Sequence, residues 1–313
     1  MNAPLPPATA RPHLGRGVAH HAWDRDQPPE AEIEPGDEVE LCLRDGSNAQ
    51  LVATSTAETM LGLDPTKMDP LTGPLWVKGA EPGDVISVEL LEITTASWGW
   101  SGIIPGLGLL RDKFPGPYYR TWELDGPVVD IGAGIGVAMA PMVGVIGVAP
   151  AQPGRFPTVV PTEAGGNIDV KYVTAGSVVH LPVFTQGALL SLGDAHAVQG
   201  DGELSGTAIE CEADVVVRVG LERGGGLDAP VVDAAPDPAP QEPLRSFLGV
   251  GPDLFEAARD SALRATDALA AALGVQDVEA YALLGSVGEL RVHEIVDTPN
   301  WVVGCMLPRR IFR

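Results

Sequence analysis

Apolar and polar positions alternate with a period of two through several short stretches, and each stretch is entered through a tight turn. Val39, Leu41 and Leu43 alternate with Glu38, Glu40 and Cys42 inside Ile33–Arg44, which carries the turn dipeptide Pro35-Gly36. Ile86, Val88 and Leu90 repeat the pattern in Val85–Leu91, behind Glu81-Pro82-Gly83-Asp84. Ala175-Gly176-Ser177 before Val178–Val183 is a looser third copy. Proline presets φ at the first central position of a type II turn and glycine supplies the positive φ at the second. Alternation of this kind is the signature of a strand with one apolar face. Thr207–Val219 follows the same rule, with Ile209, Cys211, Ala213, Val215, Val217 and Val219 on one face and Glu210, Glu212, Asp214 and Arg218 on the other. Turn-then-strand units over so long a span predict a β-sandwich-like core of many short strands, not the strand–helix alternation of a Rossmann sheet.

Helical spacing enters only near the end. Pro252-Asp253 opens an alanine- and leucine-rich run, Leu254–Leu273, which Gly274 stops. Asp277 is placed to cap a short helix to Leu284, and Glu289–Ile295 reads as a strand. The expected organisation is a flexible lead-in (1–19), a β-rich catalytic core (20–220), a Gly-, Asp- and Pro-rich connection (221–250), and a smaller α/β part (251–313) completing the same globular unit. Trp98–Trp122 is rich in tryptophan, tyrosine and glycine. It is either an irregular surface loop pinned by its aromatics or the wall of a small-molecule pocket. Gly132–Gly136, GAGIG, is followed by an apolar segment with prolines and not by a capped helix, so nucleotide binding is excluded.

Composition narrows the class. The chain has 313 residues, 45% of them hydrophobic and 20% charged, as a globular protein with a large core requires. Gly 38 and Pro 29 together make about a fifth of it, the usage expected of many strands joined by tight turns. Asp+Glu 42 against Lys+Arg 20 gives a net charge of -22, which repels phosphate backbones and argues against a nucleic-acid partner. Cys42, Cys211 and Cys305 lie far apart without a CxxC pair, so neither a disulfide framework nor a zinc knuckle is indicated. No signal-peptide h-region and no membrane-length apolar run are present, so the expectation is a cytoplasmic protein without a membrane partner.

The stretch with most chemistry is Ser191–Glu212, which holds Asp194, His196, Asp201, Glu203, Glu210 and Glu212 and no lysine or arginine. Carboxylates crowd together in a fold when a metal ion or a proton-transfer task uses them. On a regular strand Asp194 and His196 continue the face of Leu190 and Leu192, placing two ligand types at the end of an apolar face. Glu203 follows the flexible Gln199-Gly200-Asp201-Gly202 segment and is the candidate general base. Glu210, Glu212 and Asp214 have the spacing of a wet strand face, and of these only Glu210, nearest the loop, is a further candidate for the site. Asn167 and Asp169 sit behind two glycines and suit hydrogen bonding to a ligand, as they equally suit an Asx turn. His20 and His21 are alternative third ligands. With no GxSxG elbow and no cysteine beside activating partners, a water nucleophile fits better than a side-chain one.

Several segments carry a resemblance: HHAWDRDQPPEAEIEPGDEV from His20, DPLTGPLWVKGAEPGDVISVELLEI from Asp69, GGNIDVKYVTAGSVVHLPV from Gly165, GALLSLGDAHAVQGDGELSGTAIE from Gly187, and the closing AYALLGSVGELRV and VDTPNWVVGCMLP. From His20 to Pro308 the chain resembles the acetamidase/formamidase family. The resemblance implies hydrolysis of a small aliphatic amide, such as formamide or acetamide, to the carboxylate and ammonia. It also implies a β-rich fold with an α/β C-terminal part, a zinc-type divalent metal in at least some members, and a homo-oligomer. Within the family's motif text fall Asp194, His196 and Glu203, together with Asn167 and Asp169, while His20 matches the early histidine better than His21. The expected division of labour is a metal on His20, Asp194 and His196, a base at Glu203 with Asp194 beside it, and substrate orientation by Asn167 and Asp169. Competing readings are a hydrolase of a larger amide or lactam, and a non-catalytic small-molecule binder whose acidic loop is a structural calcium site.

Overall fold

The three turn-then-strand units lie in one nine-stranded sheet. Its order is His13–Leu14, Glu38–Leu43, Ala213–Glu222, Val85–Thr95, Val178–Pro182, Val231–Asp233, Leu244–Gly251, Trp301–Pro308 and Glu289–Glu294. These assignments come from a computed structural model that describes residues 11–132, 135–235, 243–277, 280 and 288–312. Gly36 and Gly83 have φ of 100° and 95°, the conformation for which the turns need glycine. A second sheet runs Gly165–Asn167, Met142–Gly147, Leu190–Val198, Ile209–Cys211, Trp98–Ile103 and Tyr118–Glu123. Leu71–Val77 pairs with the first half of Leu190–Val198 and also with Ala19–His20 and Ala31–Ile33. The protein is therefore mainly β with a small helical part, as the alternation predicts.

The core lies where the inward faces of the two sheets meet. Val39, Leu41, Ile86, Val88, Val215 and Val217 come from the first sheet, and Leu75, Val77, Ile146, Leu190 and Leu192 from the second, all fully buried. Each such side chain contributes roughly 1.5–3 kcal/mol by leaving water. The helix Leu254–Leu273 is capped by Asp253, whose carboxylate accepts from the Phe255 and Glu256 amides, and ends at left-handed Gly274. Its Ala265, Leu269 and Ala270 pack on Phe247 and Leu307 of the first sheet.

Four expectations change. Residues 13 and 14 of the supposed lead-in form a strand beside Glu40 and Leu41, because Leu14 has an apolar surface to bury there. The supposed connection holds Val231–Asp233 and the start of Leu244–Gly251, both within the first sheet. Trp98–Trp122 is irregular only between its ends, since Trp98–Ile103 and Tyr118–Glu123 pair as an antiparallel hairpin around residues 104–117. The alternating run after Thr207 is two strands: Ile209–Cys211 belongs to the second sheet and Ala213–Glu222 to the first, the chain crossing between them at Glu212. The short helix expected after Asp277 falls largely outside the described residues.

Asp233 fastens the far half of the first sheet. Its carboxylate takes two hydrogen bonds from Arg245, at 2.5 and 2.9 Å, and lies within 3.3 Å of His180 and 3.1 Å of Arg309. Burial pushes this acid up, but the hydrogen bonds from Arg245 and His180 outweigh it and hold the carboxyl below the ordinary range. A depressed folded-state pKa adds stability that is complete above the unfolded value, about 4, and is lost as pH falls through the folded value. Asp233→Asn should therefore cost roughly 1–3 kcal/mol at pH 7. The deficit should shrink towards zero in strong acid, as read by denaturant melts of both chains at matched pH.

Candidate active site and cation centre

Seven buried carboxyl groups meet where the second sheet faces the turns around it: Asp69, Asp169, Asp194, Glu203, Glu210, Glu294 and Asp297. Among the described residues, the only basic group in their midst is the fully buried His196. Its Nε2 stands 3.0 Å from Asp194 Oδ2 and 3.2 Å from Glu210 Oε2, while Nδ1 is 3.8 Å from Asp169 Oδ1. Among the described residues, no lysine or arginine forms an ion pair with any of the seven. Two like charges about 4 Å apart repel by about 4 kcal/mol at an effective dielectric of 20. The cluster cannot hold its full negative charge without protons or a cation.

The backbone places these groups at a cost. Asp69, Asp169, Asp194 and Glu203 all have positive φ, at 46°, 43°, 52° and 44°. Side chains other than glycine spend of order 1–3 kcal/mol on such a conformation, and strained residues of this kind gather at functional sites. At Asp194 the strain also changes which face the strand shows. Leu190 and Leu192 enter the main core, but so does Ala195, one residue out of step. Asp194 lines a cavity instead, so carboxylate and imidazole do not continue the leucine face as strict alternation predicts.

Two glycines press on the acids from behind. A Cβ on Gly46 would stand 2.5 Å from Asp194 Oδ1, 3.1 Å from Glu210 Oε2 and 3.2 Å from Asp69 Oδ1. A Cβ on Gly144 would stand 2.6 Å from Asp169 Oδ1 and 2.9 Å from Asp194 Oδ2. The Gly144 carbonyl accepts from the Ile168 and Asp169 amides, both at 3.2 Å, and so fixes the turn that carries Asp169. Asp45 is satisfied by Trp100 Nε1 (2.8 Å), Ser47 Oγ (2.5 Å) and the Ala49 amide (2.8 Å), which locks the loop bearing Gly46.

Burial, reinforced by neighbouring carboxylates, drives Asp69, Asp169, Glu203 and Asp297 well above the ordinary acid range. Burial likewise pushes Glu210 and Glu294 up to about 7. Asp194 is the exception. Burial would raise it, but the charge and hydrogen bond of His196 outweigh that and leave it below its usual value. Burial disfavours the charged imidazole, yet Glu210 and Asp194 override it and hold the pKa of His196 well above normal.

Several oxygens here accept no hydrogen bond: Asn167 Oδ1, both oxygens of Asp169, Asp194 Oδ1, Glu294 Oε2, and Glu210 Oε2, which has only its charge contact with His196. Unpaired buried oxygens, with donor atoms of Asp194, His196 and Glu210 within 4.8 Å of one another, fit a bound cation. Asp169, His196 and Glu203 form a second such group around the same imidazole. Above them lies a cavity of about 350 Å³, floored by Asp69, Asp194, Glu203, Glu210 and Asp297 and walled by Met68, Trp100, Ile104, Leu107 and Val159. No helix among the described residues is long and apolar enough to cross a membrane.

The model of the Acetamidase/Formamidase family matches residues 9–155 and 154–313. The chain belongs to the acetamidase/formamidase family. A formamidase from Methylophilus methylotrophus is 29% identical over 95% of this chain and 90% of its own. An acetamidase structure from Bacillus halodurans superposes with a TM-score of 0.89 at 29% identity, covering 96% of this chain and 98% of that one. A gamma lactamase from Delftia acidovorans superposes at 0.68 with 29% identity, over 95% and 90% of the two chains. The protein is thus an amide hydrolase, and the reading as a non-catalytic binder falls away.

For this acetamidase/formamidase chain, the structure brings Asp194, His196, Glu203, Asn167 and Asp169 to one site. Asn167 donates from Nδ2 to Asp297 Oδ2 at 2.6 Å. Glu210, whose spacing suggested a wet strand face, is buried against His196, because its strand belongs to the second sheet and faces the cavity. Glu212 and Asp214 do face solvent, paired with Arg16. His20 is not brought to the cluster. Its Nδ1 bonds the Ala22 carbonyl at 2.9 Å and its Nε2 bonds Ser191 Oγ at 3.0 Å, so both ring nitrogens are occupied. His21 lines a separate cavity with Arg155 and Phe156. Asp69, Glu294 and Asp297 escaped the sequence reading, although Asp69 and Asp297 each stand at the edge of a family-like segment beside a proline turn.

Gly144→Ala tests whether this crowding is functional. The added methyl must displace Asp169 or Asp194, and a shift of about 1 Å costs roughly 100-fold in turnover. Circular dichroism should show the strands intact while ammonia release collapses; unchanged turnover would mean that the fit around Gly144 is irrelevant to catalysis.

Proposed function

We propose that the chain hydrolyses a short aliphatic amide, of formamide or acetamide size, to the carboxylate and ammonia in the cavity above His196. The observation that carries this reading is the set of unpartnered buried carboxylate oxygens around one imidazole on the floor of a small, largely apolar cavity. Asp194, His196 through Nε2, and Glu210 would hold a divalent cation. An imidazole among carboxylates matches the mixed donors of zinc better than the oxygen-only set of calcium. A cation bound there supplies Lewis-acid polarisation of the amide carbonyl and lowers the pKa of water. Glu210 takes the place expected for His20.

The chain's own residues do the rest. Glu203 lines the cavity at the end of a loop tied down by the Gly202 amide on the His293 carbonyl, at 2.8 Å. Burial and the charge of Asp169 raise its pKa, which suits a base that must accept a proton from water and then release it. That proton goes to the departing nitrogen, since an amide anion is too poor a leaving group to depart unprotonated. Asn167, which lines the cavity with Nδ2 engaged by Asp297, would orient the substrate amide. Met68, Trp100, Ile104 and Val159 limit the acyl group. The cavity is roomier than formamide needs, and together with the likeness to a gamma lactamase this supports a larger amide or lactam as the second reading. Exposed Leu109, Leu110, Phe114 and Leu204 near the cavity wall support a homo-oligomer.

Ammonia release across formamide, acetamide, longer amides and a lactam, with and without a chelator, tests the reading. Glu203→Gln should lose about 10²–10⁴-fold in kcat while keeping bound metal, whereas His196→Ala should lose the metal. Full activity in metal-free protein would remove the cation from the scheme, and a rate in Glu203→Gln equal to that of the parent would remove Glu203 as the base.

A further inference from the structure

Gln199 lies in the same motif as Asp194, His196 and Glu203, and neither the catalytic scheme nor the cavity wall uses it. Its side chain is buried and makes two hydrogen bonds. Nε2 donates to the Asp169 backbone carbonyl at 2.7 Å, and Oε1 faces His196 Nδ1 at 2.8 Å. An amide nitrogen and oxygen look alike in outline, but here chemistry separates them. A peptide carbonyl only accepts, so the group facing Asp169 must be the NH₂ and the group facing His196 must be the oxygen. That oxygen only accepts as well. His196 Nδ1 must therefore carry a proton, and the ring's lone pair can be presented only at Nε2.

The consequence is a choice between the two ligand groups that share the imidazole. Asp169 and Glu203 form one group with His196, and Asp194 and Glu210 form the other. Nε2 is the nitrogen beside Asp194 Oδ2 and Glu210 Oε2, and Asp194 Oδ1 and Glu210 Oε2 have no hydrogen-bond partner. We propose that Gln199 is a positioning residue that locks His196 in the Nδ1–H form, seating the cation on the Asp194–Glu210 side and leaving Asp169 and Glu203 unligated. The relay starts at a strained residue: the carbonyl that orients Gln199 belongs to Asp169, whose φ is 43° and whose amide is held by the Gly144 carbonyl. A single backbone turn thus sets the amide, the amide sets the ring, and the ring sets the metal's side. This inference rests on the reading of the cluster as a cation site.

The test uses the full chain labelled with ¹⁵N-histidine, with the His196 signals identified by their absence in His196→Ala. Zinc should shift the Nε2 resonance of His196 and leave Nδ1 protonated. Zinc on Nδ1, or an Nδ1 without its proton, overturns the proposal, and this measurement needs no altered Gln199. Gln199→Leu keeps the volume but removes both hydrogen bonds. It should weaken zinc by about 10–100-fold in competition with a chromophoric chelator, the loss typical of a removed outer partner, and should let the ring populate both neutral tautomers. Parental zinc affinity with an unchanged tautomer in that variant also overturns the proposal. If the parent chain itself binds no zinc, it is the cation reading that fails and the proposal falls with it, whereas zinc on Nδ1 overturns the proposal alone.

Discussion

Repulsion among buried carboxylates is the constraint from which the site follows. Asp69, Asp169, Asp194, Glu203, Glu210, Glu294 and Asp297 are all withdrawn from water, and among the described residues His196 is the only basic side chain in their midst. Protons or a cation must make up the difference, and the two share the work unevenly. Asp194 and Glu210 combine a place beside His196 Nε2 with unsatisfied oxygens, where a metal does most good. Burial raises the pKa of Glu203 and Asp297, which suits groups that take up and hand on protons.

The sheets make such crowding affordable. The first sheet, with the helix packed on it, and the continuous aliphatic layer beneath supply the stability. The second sheet carries the chemistry: Leu190–Val198 runs between Met142–Gly147 on one side and Leu71–Val77 and Ile209–Cys211 on the other. Asp194 and His196 on that strand, Glu210 on its neighbour and Asn167 two strands away are thereby fixed by backbone hydrogen bonds. Glu203, Asp69, Asp169 and Asp297 arrive on turns. Rigid strands hold the imidazole and its two closest acids, and turns bring the groups that meet substrate, a division that favours positional accuracy where ligands gather.

The strands around Val39, Ile86 and Val215 and the helix at Leu254 were legible because period-two alternation, Pro-Gly turns and an Asp cap with a glycine stop are local signals. The hairpin from Trp98 was not, because its aromatics hide the alternation, and neither was the sheet change at Glu212, because an unbroken alternation hides a change of partner. That change is also why Glu210 reads as solvent-facing in sequence and is buried in the fold. At the site, Asp194, His196 and Glu203 stood out because they share one motif. Asp297 and Glu294 lie about a hundred residues further on, and only the turn before Trp301–Pro308 brings them back. His20 misled because residue type and motif position say nothing of its bonds to Ser191 and Ala22.

The left-handed acids have a consequence for how this protein can evolve. Asp69, Asp169, Asp194 and Glu203 each have an unfavourable backbone, and all but Asp194 an unfavourable charge as well, so replacement by glycine or asparagine relieves strain at all four. A library selected only for heat resistance will therefore enrich substitutions at these four positions first and dismantle the enzyme while improving its fold. Durable variants have to be sought elsewhere in the chain, with the reaction itself kept under selection.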